Sequence, residues 1–471
     1  MEEHFDHSFE DNNQDRIVKL EDMFSDNAYY YFDVSEWEGM IEHYLAGLKL
    51  DKASRALQFA KHQHPSSLEL MMKEAELFIE KSDFKKALVL LKKLEISHPF
   101  EADIPFLIAN TYSRIGRSIK SIEYYKKSLT LTEPEDSEDT YFQMASEYLL
   151  LEKPHQAIYW LKKLLDINPE NIEALYEISL TYETNDLIDE AIAFFKSFIE
   201  NSPYSHHAWF NLGNLYTVKE QLKEALDAYE YSILSFEEFS SGWYNKGTIL
   251  AKLNRNKLAL EAFFKTLELE GPSSPTYCSI AEVYENMDNF EGAFEYYKKT
   301  YELDDSYTDA WIGAANASLE KGELKVALAL IEKAIKQEED NAQAHHIYAE
   351  ICQSLQFFEE AKKAYKKVIQ LDSDNWEVFL DYSAILFDQE EKENAIFIIE
   401  SGMVLTGNQV ELGFRAGAYH YLIGNSNQAF QLWNDALAHK PADVDQIFEF
   451  DQDLRCVPEI IDFIEQFDNE L

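Results

Sequence analysis

From residue 34 onward, large apolar side chains recur at helical spacing for about a dozen residues, a short polar break follows, and a second amphipathic run begins before the pattern repeats. The beat is 34 residues. Ala157, Ala191, Ala225, Ala259, Ala293, Ala327, Ala361, Ala395 and Ala429 stand on it with no insertion between them. Ala53 and Ala87 extend the series upstream, Ser121 takes the alanine's place once, and a two-residue slip restores the phase at Ala157. The small side chain has a steric reason, because two helices approach to about 8–10 Å only where no bulky group stands between them. A fixed period of this length predicts a stack of helix-turn-helix units, each two amphipathic helices.

Other positions keep the same phase. A large side chain recurs well ahead of each alanine, at Tyr141, Leu175, Trp209, Trp243, Tyr277, Trp311, His345 and Phe379, where it fills the space between neighbouring helix pairs. Small residues such as Ala145, Ser179, Gly213, Ala281, Ala315 and Ala349 are expected opposite the alanine of the second helix. Four residues beyond the alanine, Leu161, Phe195, Tyr229, Phe263, Tyr297, Ile331, Tyr365, Ile399 and Trp433 share its helical face. Prolines at 65, 99, 169, 203 and 441, and one residue late at 134 and 272, stop the second helices. Between the two helices, Gly116, Gly322 and Gly424 share one position with Asn254 and Asp288, all residue types that tolerate the left-handed conformation ending a helix.

The run Trp209-x-x-Leu212-Gly213-x-x-Tyr216, followed by Ala225, Tyr229 and Ser232, resembles the tetratricopeptide repeat. The resemblance extends over residues 34–443. It implies an all-α fold, a right-handed α-solenoid superhelix of about twelve helix-turn-helix units that start near 34, 68, 102, 138, 172, 206, 240, 274, 308, 342, 376 and 410. Residues 1–33 are expected to form an acidic tail and a capping helix with Ile17, Leu20 and Phe24 on its apolar side, and Ser35-x-x-Glu38 reads as a capping box opening the first unit. Residues 444–471 are expected as C-terminal capping helices. There Pro458 occupies a first turn, and Val457, Ile460, Ile461, Ile464 and Phe467 form one apolar stripe.

Charge narrows the partners. A net charge of −45 opposes nucleic-acid binding, which needs lysines and arginines to replace the counterions on phosphates, and it opposes anionic membranes. No apolar run approaches the ~18 residues of a spanning helix, and the acidic start lacks a signal peptide's basic and hydrophobic regions, so a cytoplasmic location is expected. Cys278, Cys352 and Cys456, odd in number and outside any CxxC motif, fit reduced thiols.

In the family resembled, the first helix of each unit lines the concave face. The second, fifth, sixth, ninth, twelfth and thirteenth residues of each frame therefore point to the groove, and among them acids such as Glu38, Glu42, Glu76, Glu80, Glu177, Glu282, Glu285, Asp309, Glu350 and Asp381 far outnumber Lys73, Arg114, Lys252 and Arg415. The fifth residue is aromatic in five successive frames, at Phe106, Phe142, Tyr176, Phe210 and Tyr244. Exposed aromatics bury roughly 150–250 Å² each against a ligand, while Asn211, Asn214 and Asn245 have amides that both donate to and accept from an extended peptide backbone. Packing of the rings between adjacent helices is the competing reading. Clamping of a terminal carboxylate, another activity of the family, is disfavoured because Phe210, Pro275 and Ser279 stand where cations are needed.

No nucleotide-binding or hydrolase motif stands where a strand or loop could display it, so no enzyme activity and no cofactor are expected. His206-His207 and His345-His346 are adjacent pairs whose rings diverge on a helix, so no metal site is assigned to them. The sequence thus points to a non-catalytic scaffold that holds a protein or peptide segment, cationic with apolar anchors, in an acidic, aromatic-lined groove. Self-association into a homo-oligomeric assembly platform is the alternative.

Overall fold

The computed structural model describes residues 15–25, 28–407 and 409–470, and among them every regular element is a helix. Most of the expected acidic tail, residues 1–14, lies outside the described residues. None of the described helices is long and apolar enough to cross a membrane. The chain divides into two compact units, Met1–Glu237 and Glu238–Leu471.

In the first unit a helix over residues 15–24 precedes six helix pairs. These are Val34–Ala46 with Leu50–Gln63, Leu68–Glu80 with Phe84–Ser97, Asp103–Arg114 with Ser118–Leu129, Glu138–Leu150 with Pro154–Ile167, Ile172–Thr184 with Ile188–Asn201, and His206–Val218 with Leu222–Ser235. The two-residue slip in the sequence is absorbed outside the helices, by a 3-10 turn at Pro134–Asp136. The second unit holds Ser240–Lys252 with Asn256–Glu270, Ser274–Glu285 with Phe290–Leu303, Thr308–Glu320 with Leu324–Gln337, Ala342–Ser354 with Phe358–Leu371, Glu377–Asp388 with Lys392–Leu405, and Val410–Leu422 with Ser426–His439. It ends in two 3-10 segments and the helix Pro458–Glu470.

One turn closes every pair. A residue two or three places past the end of the first helix is left-handed in all twelve, at Leu48, Ser82, Gly116, Glu152, Asp186, Glu220, Asn254, Asp288, Gly322, Gln356, Glu390 and Gly424. The next amide donates five residues back, as Asp83 N–H does to the Phe78 carbonyl at 2.8 Å and Gln221 N–H to Tyr216 at 2.9 Å, which satisfies carbonyls that a helix end leaves open. Leucine, glutamine and glutamate adopt this conformation at a cost of about 1–2 kcal/mol each relative to the right-handed one. The packing of the two helices therefore fixes the turn even where residue preference opposes it.

The phased alanines are fully buried, and Ser121 shows why serine replaces one of them, since its hydroxyl donates to the Ala109 carbonyl at 2.9 Å. Contrary to expectation, the nearest neighbours of the small residue at 213 belong not to the alanine but to the ring four residues beyond it. A Cβ on Gly213 would sit 2.6 Å from Tyr229, one on Gly247 2.8 Å from Phe263, and one on Gly417 2.3 Å from Trp433. The large residues early in the first helices tie pairs together through their ring N–H groups. Trp209 donates to the Pro203 carbonyl at 2.8 Å and Trp311 to Asp305 at 2.9 Å, while His345 Nε2 reaches Glu339 at 2.9 Å, so histidine there does the work of an indole.

Both ends carry a covering helix. Leu20, Met23 and Phe24 of the segment 15–24 are buried with Trp37, Met40 and Tyr44 of the first pair. The capping box lies two residues earlier than Ser35 and Glu38: Glu36 N–H donates to Asp33 Oδ1 at 2.8 Å, and Asp33 N–H to Glu36 Oε2 at 3.0 Å. Asp33 wins because its carboxylate, unlike the Ser35 hydroxyl, precedes the first helical residue. At the other end Ile460 is fully buried, with Phe463, Ile464 and Phe467 packed beside it on Phe414 and Trp433. Ile461 is exposed, so the apolar stripe is rotated by one position, and Phe463 replaces it against Phe430 at 5.0 Å between centroids.

Candidate functional site

In the first unit the first helix Leu68–Glu80 touches both Val34–Ala46 and Asp103–Arg114, Ile172–Thr184 touches His206–Val218, and frame positions expected in a groove share a hollow. It has a volume of about 690 Å³ and is lined by Glu42, Lys73, Glu76, Glu80, Phe106, Asn110, Arg114 and Gln143, among others. Its two cations are already neutralised within the chain. Lys73 Nζ lies 2.9 Å from Glu76 and 3.7 Å from Glu42, and Arg114 donates to Glu80 at 2.9 Å. Burial followed by the charges of Glu42 and Asp103 holds the Glu76 carboxyl above the usual range in spite of Lys73, and burial with Glu69, Glu42 and Glu76 nearby does the same to Glu38. Groove carboxylates therefore crowd one another, and the available bases do not relieve them.

The five aromatics separate into two kinds. Phe106, Phe210 and Tyr244 are half-buried and lean on a ring of their own second helix, Tyr125 at 5.6 Å, Tyr229 at 5.8 Å and Phe263 at 5.6 Å. The spacing is nineteen residues each time, which places the fifth-position ring over the ring that follows the alanine. Phe142 is half-buried, whereas Tyr176 is 60% exposed and presents its ring to solvent. Neither sideways packing between first helices nor a row of five open rings describes this arrangement.

The asparagines also divide. Asn211 is only 7% exposed, and its amide nitrogen lies 3.4 Å from the Leu175 carbonyl of the preceding first helix, so it joins neighbouring pairs and does not offer its amide to a peptide. Asn214 Oδ1 accepts from the Tyr229 hydroxyl at 2.8 Å. Asn245 and Glu177 are half-buried on helices Ser240–Lys252 and Ile172–Thr184.

In the second unit Glu282 lines a hollow of about 310 Å³ with Cys278, Glu285, Asp309, Asn316 and Gln343. Burial, with Asp309 and Glu285 beside it, raises the Glu282 carboxyl above its ordinary range. A raised carboxyl contributes stability that is complete below the unfolded value near 4.5 and is lost as pH rises through the folded one. At neutral pH the ionised Glu282 is consequently a net cost. Glu282→Gln should therefore raise stability at pH 7 by ~0.2–1 kcal/mol, the range for charges screened by solvent, and give no gain at pH 4. Denaturation of both proteins at the two pH values checks this; equal gains at both would show that charge is not the cause. Cys278 and Cys352 are buried free thiols and Cys456 is an exposed one.

A further cluster escaped the sequence reading, which weighed histidines against histidines alone. His346 Nε2 lies 3.0 Å from Asp381 Oδ2 and 4.0 Å from Glu350 Oε1. Two signals in the sequence could have found it. His346 and Glu350 are four apart on one helix, and groups near 34 residues apart on successive first helices meet, as Arg114 meets Glu80 and Tyr244 meets Ser279 at 3.2 Å.

Comparison with family models agrees with the repeats. Tetratricopeptide repeat models match residues 102–134, 138–171, 172–204 and 342–375, and another matches 287–351. No curated protein matches the chain in sequence. Similar solved structures include the Cut9-Hcn1 hetero-tetramer of the APC/C, at 13% identity and a TM-score of 0.44 over 88% of this chain and 95% of that one. A tetratricopeptide repeat protein from Parabacteroides merdae is 17% identical, with a TM-score of 0.41 over 53% of this chain and 98% of that one. MamA is 24% identical, with a TM-score of 0.32 over 36% and 94%.

Proposed function

We propose that this chain, a stack of helix pairs that tetratricopeptide repeat models match over residues 102–134, 138–204 and 287–375, works as a protein–protein interaction scaffold without chemistry of its own, holding a cationic partner segment with apolar side chains along its first helices. The observation that carries this reading is the state of the groove charges. Lys73, Arg114 and Arg415 each already face a carboxylate, while Glu38, Glu76 and Glu282 hold their protons more tightly than a free carboxylate because burial and like-charged neighbours oppose ionisation. Lysine or arginine from a partner would relieve that repulsion, and complementary charge sets both the approach rate and the choice of partner. Apolar anchoring falls to Tyr176, with the exposed part of Phe142 one repeat earlier on the same unit.

Selection of random peptides displayed against the full chain tests the proposal. Sequences rich in lysine or arginine interleaved with leucine, phenylalanine or tryptophan are expected; acidic or uncharged winners would overturn it. Affinity for a selected peptide should fall between low and physiological salt, where screening shortens to about 8 Å. It should also weaken by about tenfold or more in Phe142→Ala/Tyr176→Ala, with helicity unchanged by circular dichroism, since a lost aromatic anchor typically costs more than ~1 kcal/mol. Undiminished affinity in that double variant would remove the two rings from the site.

A further inference from the structure

His346 and Glu350 project from one face of helix Ala342–Ser354, four residues apart, and Asp381 comes from the next first helix, Glu377–Asp388, to meet them. One ligand atom from each of the three lies within 4.8 Å of the others. We infer that His346, Glu350 and Asp381 form a binding site for a divalent transition metal, zinc being the ion that fits best, with the remaining coordination open to water on the groove side.

Geometry is the first support. Zinc bonds nitrogen and carboxylate oxygen at about 2.0–2.2 Å, so neighbouring donors around a tetrahedral ion stand about 3.3 Å apart. The distances of 3.0 Å from His346 to Asp381 and 4.0 Å from His346 to Glu350 bracket that value, and rotation of one carboxylate supplies the rest. Access is the second. The His346 side chain is 17% exposed and the two carboxylates about 40%, so the donor atoms are held by the fold yet open to an entering ion.

Donor chemistry selects the metal. Calcium takes six to eight oxygen ligands and magnesium a near-octahedral oxygen shell, whereas one imidazole with two carboxylates suits zinc and its neighbours. Surplus negative charge surrounds the cluster. Glu320 and Glu377 act on Glu350 along with Asp381, and Tyr365 packs its ring edgewise on His346 at 5.8 Å. The imidazole coordinates only when neutral, so a metal at this site competes with protons.

Titration of the full chain with zinc chloride by calorimetry tests the assignment against the obvious rival, diffuse binding to an acidic surface. One site per chain is expected above the diffuse background, resistant to a large excess of magnesium or calcium. Cobalt(II) in place of zinc should show ligand-field absorption in the visible range. His346→Ala and Asp381→Asn should weaken the site at least tenfold, Glu350→Gln should weaken it to a lesser degree, and Glu190→Gln, an exposed carboxylate on helix Ile188–Asn201 of the other unit, should leave it unchanged. Glu350→Gln keeps the side chain's shape and so guards against a variant that fails to fold. Equal affinity in all four variants, or displacement by magnesium, would overturn the site and assign the binding to surface carboxylates.

Discussion

Trp433→Ala should cost about 3–5 kcal/mol, the range for emptying a buried aromatic site, and the loss should appear first in the helices next to it. The indole is fully buried and its Nε1–H donates to the Phe414 carbonyl at 3.0 Å. Gly417 leaves the space the ring occupies, and Tyr421, Phe430 and Phe463 surround it at centroid distances of 5.9, 5.9 and 6.3 Å. Phe463 belongs to the terminal helix, so one ring joins both members of the last pair to their cover. A repeat array is stabilised by each unit and its immediate neighbours, so damage at an end stays near the end. Hydrogen exchange should therefore show Val410–Leu422, Ser426–His439 and Pro458–Glu470 losing protection while the pairs of the first unit keep theirs. Uniform loss along the chain would mean that the array unfolds as one cooperative body.

The helix pairs were legible because their signal is repeated. One frame with a weak motif says little, but an alanine returning every 34 residues reports a contact that each pair must make. What stayed hidden was whatever the packing imposes against local preference. Leu48, Glu152 and Glu220 hold the same left-handed turn as Gly116, yet nothing in a leucine or glutamate announces it. The N-terminal cap shows a related limit. Asp33 and Glu36 form the same S/T/D-x-x-E signature as Ser35 and Glu38, two residues earlier, and only the position of the first helical residue tells them apart.

The groove was legible to the level of the frame position and no further. Phe106, Phe142, Tyr176, Phe210 and Tyr244 occupy one position, but the position alone does not report how far each ring is covered. Phe106, Phe210 and Tyr244 pack on the rings nineteen residues on, Tyr125, Tyr229 and Phe263, while Tyr176 stands open although Phe195 lies at the same spacing. Asn211 was misplaced for a similar reason, since its neighbour is the Leu175 backbone carbonyl, and a carbonyl has no sequence signature. His346 was missed because its partners lie at two different spacings, one along a helix and one across to the next repeat.

Gly213→Ala should change the sign of its effect with the residue at 229. In the native chain the new methyl group would lie 2.6, 2.8 and 2.9 Å from three atoms of the Tyr229 ring. That ring is held at its far end, where the hydroxyl donates to Asn214 Oδ1 at 2.8 Å and lies 3.2 Å from Thr217 Oγ1, so it does not swing aside freely. Overpacking of this kind costs about 1–3 kcal/mol. It outweighs the ~1 kcal/mol that alanine gains over glycine inside a helix such as His206–Val218. Tyr229→Ala alone should destabilise by several kcal/mol, roughly the 3–5 of a buried aromatic truncation, because Tyr229 is 2% exposed. In the Tyr229→Ala background the three closest atoms no longer oppose the methyl, so Gly213→Ala should become stabilising by about 1 kcal/mol through helix propensity. Ala225→Leu, at a fully buried contact with no propensity to recover, should cost about 1–3 kcal/mol in either background. Urea denaturation of the four corners of the cycle measures the coupling directly. A Gly213→Ala effect of the same sign and size with and without the ring would show that the glycine is not there to admit Tyr229.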